Sequence, residues 1–204
     1  MIGTSPLLCA CPPDASSGQP RPPGNEVLVG ASSGAWGSRM NTMARQFARG
    51  TACISAQISR TIPAPVSQVF PFVANANNDP LWIDAISHSR RLDTGPLTVG
   101  SRFEQTAVGF GIHANVVWEI TEYVENCYLI TRSVAGDYDF TGGYEFDVCR
   151  KGTTVTKFAY LRRSGLLFAA PKFLANAMMR QAFQAWLAML AARQWHLTAT
   201  KSGT

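Results

Sequence analysis

The feature that most constrains this chain is a change of hydrophobic period near its C-terminal end. From about Ser87 to Leu161 apolar residues recur at every second position, and from Pro171 to Trp195 they recur at helical spacing. Phe103, Gln105 and Ala107 alternate with Arg102, Glu104 and Thr106. Ile112, Ala114, Val116, Trp118 and Ile120 alternate with His113, Asn115, Val117, Glu119 and Thr121. Further strands are predicted near Tyr128–Val134, Tyr144–Val148 and Thr154–Leu161. Turn chemistry separates them at Asp93-Thr94-Gly95-Pro96, Gly109-Phe110-Gly111, Glu125-Asn126, Gly136-Asp137 and Lys151-Gly152. Such short connections imply an antiparallel meander.

In the helical stretch Pro171 suits a first turn. Leu174, Met178, Met179, Ala182, Phe183, Trp186, Met189 and Leu190 are expected on one broad arc, with Arg180, Gln181 and Gln184 opposite. A helix of about 25 residues is on the order of 37 Å long, enough to cross a small sheet. The alternating face of the sheet is the one apolar surface of matching size. The fold class read from these two periods is α+β, a curved antiparallel sheet of about seven strands around a long C-terminal helix.

Ahead of the meander, Ile54, Ile58 and Ile62 mark a half-buried strand over Ala52–Ile62, closed by Pro63 and Pro65. Pro65 opens a short helix carrying Val66, Val69 and Phe70, which Pro71 is expected to stop or bend within about a turn. Asn77-Asn78-Asp79-Pro80 is a turn and cap signal, followed by a second short helix at Leu81-Trp82-Ile83. Gly142-Gly143 reads as a bulge in a strand.

Residues 1–50 hold six of the twelve prolines and seven of the seventeen glycines. Little there offsets the entropy of ordering, so residues 1–51 are read as a disordered or mis-started leader. Met40 and Met43 offer later starts. Residues 52–197 form the domain and 198–204 a disordered tail.

With 46% hydrophobic and 15% charged residues, the chain can bury a large core but has few residues for a broad ionic interface. The net charge of +5 is spread over separated pairs such as Arg90-Arg91, Arg150-Lys151 and Arg162-Arg163. No nucleic-acid partner is expected from that pattern, and no stretch is long and apolar enough for stable membrane insertion. The five cysteines lack metal-type spacing, and Cys127 and Cys149 are read as small hydrophobes inside strands. A reducing, cytoplasmic compartment is the expectation. His88, His113 and His196 form no ligand pair, so no metal and no cofactor are predicted. Gly109-Phe110-Gly111-Ile112-His113-Ala114 spells a dinucleotide fingerprint but opens into a strand, leaving no helix N-terminus for phosphate. No nucleophile elbow or Walker loop is present.

Five local patterns now stand in order. They are Ile62-Pro63-Ala64-Pro65-Val66-Ser67-Gln68-Val69-Phe70; Asn78-Asp79-Pro80-Leu81-Trp82; Val99-Gly100-Ser101-Arg102-Phe103; Trp118-Glu119-Ile120-Thr121-Glu122-Tyr123; and Gly152-Thr153-Thr154-Val155-Thr156. Together they resemble the START/polyketide-cyclase-like (SRPBCC) superfamily over roughly residues 53–195. The resemblance implies a helix-grip fold with a cavity between sheet and C-terminal helix. It also implies an apolar or aromatic small-molecule partner, lipid-like or polyketide-like, and is compatible with a homodimer.

The expected lining of that cavity is Trp82, Phe103, Gln105, Trp118, Tyr144, Tyr160 and Met178. A buried Gln105 needs partners, and a ligand carbonyl or hydroxyl could supply one. His113 is expected on the solvent face. If the register were reversed, His113 and Asn115 would face inward as proton-transfer groups, with Arg102 or Arg132 polarising a carbonyl. Binding of an apolar molecule is the leading function, and a cyclase or aromatase promoting ring closure and dehydration is the alternative.

Overall fold

The computed structural model describes residues 53–109, 112–162 and 171–195. The expectations for the leader, the alternative starts and the tail fall on residues outside these. Among the described residues, seven strands form one antiparallel sheet: β1 (Cys53–Ile62), β2 (Ile86–Arg91), β3 (Arg102–Gly109), β4 (Ile112–Val124), β5 (Tyr128–Gly136), β6 (Phe140–Cys149) and β7 (Gly152–Arg162). The spatial order is β1-β7-β6-β5-β4-β3-β2, so β2 to β7 run as a continuous meander and β1 joins β7. The sheet curls into a half-barrel around the helical elements. The described residues also form two helices, α1 (Val66–Ala74) and α2 (Lys172–Ala192), with a 3-10 helix at Ala76–Leu81.

Alternation decides which side chains face the hollow of the sheet. On β3 and β4, Phe103, Gln105, Val116, Trp118 and Ile120 are buried, while Arg102, His113 and Asn115 are exposed. Shifts in the β4–β5 pairing at Val117/Trp118 and Ile120/Glu122 bend this long strand.

One local expectation is met and two are corrected. α1 ends at Ala74, within a turn of Pro71, and the turn past the proline buries Val73 and Ala74. The second short helix begins earlier than Leu81, because Asn75 caps it by accepting from the Asn77 N–H at 3.3 Å. Gly142 and Gly143 make no bulge, since both pair in unbroken register with β5 and β7. They are glycines because the neighbouring strands come close: a Cβ on Gly143 would lie 2.2 Å from the Leu129 carbonyl oxygen.

The cysteine placement also differs. Cys149 ends β6 and is exposed, and Cys127 is buried in the turn before β5.

At 21 residues α2 is about 31 Å long. Its buried stripe is Phe183, Leu187 and Leu190, flanked by Met179 and Trp186, narrower than the arc expected. Leu174, Met178 and Met189 are exposed, because they sit roughly 120° or more around the helix from Phe183. Asn176 Oδ1 accepts the Ser55 backbone N–H at 3.0 Å, so α2 covers part of the β1 edge. No described helix is long and apolar enough to cross a membrane.

Candidate functional site

A chain of polar side chains crosses the hollow of the sheet beneath α2. It begins on β2 and β3, where Gln105 Nε2 donates to Ser89 Oγ at 3.2 Å and to Asp79 Oδ2 at 2.6 Å. Asp79 comes from the 3-10 helix and is 7% exposed, as is Gln105. The charge of Lys157, on β7, acts on Asp79, and the Lys157 ammonium donates to the Tyr144 hydroxyl on β6. Tyr144 and Lys157 stand directly opposite each other in the β6–β7 register, so both project from the same face.

The surroundings are aromatic. Lys157 Nζ lies 4.0 Å from the Tyr144 ring centroid, 5.1 Å from that of Phe183 and 5.7 Å from that of Trp186. Contacts of this kind favour the cation, and desolvation opposes it. Trp82 packs against Tyr144 with ring centroids 6.0 Å apart.

Burial works against both charges. It pushes the Asp79 carboxyl up to about 7, opposed by the Lys157 charge and by the hydrogen-bonding side chains around it. It pulls the Lys157 ammonium down to about 8, opposed by the Asp79 charge. Burial, reinforced by Asp79, raises the Tyr144 hydroxyl well above its ordinary value. This carboxyl and amine can therefore change protonation near neutral pH, and Tyr144 stays a neutral donor and acceptor.

Two donors in this interior are unspent. The indole N–H groups of Trp82 and Trp118 are buried and have no hydrogen-bond partner. The Trp82 side chain still favours the Asp79 carboxylate electrostatically, but its Nε1 falls outside hydrogen-bond geometry. Trp118 stacks on Phe103 at 4.6 Å and 18°, in a neighbouring cluster with Val116 and Ile120.

The residues expected to line a cavity are thus divided. Trp82, Gln105 and Tyr144 gather around Asp79, and Phe103 and Trp118 form the adjacent aromatic stack. Tyr160 lies apart: it pairs with Ser55, and its parity on β7 puts it on the face opposite Lys157. Met178 is 42% exposed. Tyr160 instead lines a groove of about 540 Å³ with Ser55, Gln57, Phe173, Asn176 and Arg180. A second groove of about 480 Å³ is lined by Gln57, Ile58, Ser59, Arg60 and Gln184. Ile58 is the register partner of Lys157, which is itself half-buried.

The groups considered for proton transfer under a reversed register all lie on the outer face. Arg102 and Arg132 both reach Glu119, each at 3.3 Å, and His113 is exposed. Asn115 accepts from the Thr106 hydroxyl at 2.8 Å. Within this polar centre Gln105 and Tyr144 are among the expected lining residues, and Asp79 and Lys157 are not. Asp79 reads in sequence as part of a cap. Lys157 carries a legible signal, a lysine on the same strand parity as Val155 and Ala159.

A family model described as polyketide cyclase/dehydrase and lipid transport matches residues 54–194. The chain belongs to that family, whose fold is the START-like helix grip. Solved structures agree on the fold. A protein from Thermus thermophilus superposes with TM-score 0.57 at 17% identity, covering 69% of this chain and 94% of the other. A START superfamily protein from Mycobacterium smegmatis gives 0.55 at 12%, covering 68% and 94%. The di-domain aromatase/cyclase StfQ of the steffimycin biosynthetic pathway gives 0.58 at 13%, covering 78% of this chain and 60% of that one. No curated protein matches the chain by sequence. The fold is therefore a ligand-binding one of the START/polyketide-cyclase type.

Proposed function

We propose that this protein takes up an apolar or aromatic small molecule, lipid-like or polyketide-like, between the sheet and α2, and that an oxygen of the ligand meets the interior polar groups. The observation that carries this reading is the buried, unpartnered indole N–H of Trp118. Leaving such a donor unsatisfied costs about 1–3 kcal/mol, which a ligand oxygen would recover. The aromatic walls supply the apolar contact, and the polar groups supply orientation.

The test is titration of the full chain with 2-naphthol and with naphthalene, followed by tryptophan fluorescence and native mass spectrometry. The expected result is saturable uptake, with 2-naphthol binding about tenfold more tightly than the hydrocarbon, the worth of roughly one hydrogen bond. Trp118→Phe should narrow that gap. Absence of uptake of either compound overturns the reading.

A second reading is ring closure and dehydration of a polyketide-like substrate. One observation favours it: burial brings the Asp79 carboxyl and the Lys157 amine to values near neutrality, the range in which a general acid and base are effective. Turnover of a poly-β-ketone thioester that is lost in Asp79→Asn, with binding retained, would distinguish it from simple carriage.

A further inference from the structure

We propose that Lys157 is a carbonyl-capturing amine, forming a reversible imine with an aldehyde or ketone carried on an apolar or aromatic frame. The inference rests on the reading that the interior binds an oxygenated apolar molecule, and it specifies the class of that oxygen.

The geometry supports it in three ways. First, Lys157 is singled out by position. The chain has four lysines, Lys151, Lys157, Lys172 and Lys201. Lys151 and Lys172 are exposed, whereas Lys157 projects into the aromatic interior beneath α2. Second, its amine is flanked by the groups that imine chemistry needs. Tyr144 Oη is in contact with Nζ, and the Asp79 charge acts on it. Third, a groove lies beside it. Lys157 is half-buried, and its partner across the β1–β7 pair, Ile58, lines the 480 Å³ groove.

An amine must be unprotonated to add to a carbonyl, and burial among aromatic rings pulls Lys157 in that direction. The neutral Nζ adds to the carbonyl carbon, forming the C–N bond as the carbonyl π electrons move to oxygen. That oxygen takes up one proton while the nitrogen gives one up. Tyr144, in contact with Nζ, is placed to relay these protons. The hydroxyl leaves as water with a second proton, the nitrogen lone pair closes the C=N bond, and the nitrogen gives up its remaining proton to replace the one consumed. Amine plus carbonyl gives imine plus water, with no change of oxidation state and no co-reactant. Hydrolysis runs the same steps backwards and releases the ligand.

The experiment traps the imine on the full chain. The protein is mixed with 2-naphthaldehyde and sodium cyanoborohydride near neutral pH, which reduces any imine to a stable secondary amine. Intact mass and peptide mapping then locate the adduct. The expected result is labelling of the Lys157 peptide about tenfold faster than those of Lys151 and Lys172. The label should be lost in Lys157→Arg and suppressed by excess 2-naphthylmethanol, which has no carbonyl. Comparable labelling of all the lysines, or protection of none by the alcohol, overturns the proposal. If Lys157→Arg fails to fold, judged by circular dichroism, the wild-type mapping and the protection by alcohol decide alone. Fluorescence titration with 2-naphthylmethanol separates the two levels of failure. Binding of the alcohol without labelling of Lys157 sinks the imine alone, and absence of both sinks the binding reading as well.

Discussion

Gln105 Nε2 donates to the Asp79 carboxylate at 2.6 Å, tying the inner face of β3 to the 3-10 helix. The bond stabilises the ionised carboxyl, which burial otherwise opposes. In Gln105→Leu that donor is gone, and the Asp79 carboxyl should rise further from its ordinary value. Stability should fall by about 1–3 kcal/mol, the range for a hydrogen bond to a charged group. Carboxyl-detected NMR titration reads the first effect and chemical denaturation the second. An unchanged Asp79 titration would mean that the Gln105 bond has no part in setting the carboxyl.

Glu145 on β6 predicts a pH effect with a definite sign. Burial, reinforced by Asp147 two residues along the same face, pushes its carboxyl from 4.5 up to about 7. Between those values the folded chain holds the proton more tightly than the unfolded chain does. Stability should therefore fall as pH rises from about 4.5 to about 7 and level off above it. Glu145→Gln should make that slope shallower, leaving the part that Asp79 contributes, and leave the protein more stable above the window. Because Glu145 is half-buried, solvent screening limits the gain to the order of 1 kcal/mol. Denaturation midpoints of both proteins across the window check this, and parallel slopes would refute it.

The fold was legible because its two periods are long and uninterrupted. Trp118 and Phe103 stack as direct cross-strand partners, as strict alternation on β3 and β4 requires. Single residues read less well where tertiary contact outvotes local preference. Met178 looked interior because apolar residues occupy so much of α2, yet the helix meets the sheet along a stripe centred on Phe183 and Leu187. The site divides in the same manner. Gln105 and Tyr144 follow from strand parity, and so does Lys157 once a lysine on an apolar parity is taken seriously. Asp79 does not, since its burial depends on where the 3-10 helix lands across the sheet.

Close strand packing makes Gly143 a sensitive position. A Cβ there would meet the Leu129 carbonyl oxygen at 2.2 Å and Phe158 Cζ at 3.1 Å, and the first of these is backbone that cannot swing aside. Gly143→Ala should cost about 1–3 kcal/mol or more, as overpacking does elsewhere. Gly109→Ala is the control, because nothing lies within 4 Å of the added methyl. Thermal denaturation of the two variants should separate them clearly. Equal stability would show that β5 and β6 can part without penalty.

The last prediction concerns how α2 is held over the site. Trp186 Nε1 donates to Asp84 Oδ1 at 2.7 Å, linking the buried half of α2 to the segment between the 3-10 helix and β2. The same indole ring lies 5.3 Å from Phe183 and 5.7 Å from Lys157 Nζ, so one side chain both anchors the helix and walls the amine. Trp186→Phe keeps much of the wall and deletes the anchor. Asp84→Ala deletes the anchor from the other side and leaves the wall whole. Each should lose about 1 kcal/mol, and the double variant should lose little more than either, because both remove one bond. Hydrogen exchange offers the more local reading: amides of α2 near Trp186 should exchange faster in both variants, while those of β6 and β7 stay protected. If the two losses simply add, the hydrogen bond does not couple these residues, and the helix is held by the packing of Phe183, Leu187 and Leu190 alone.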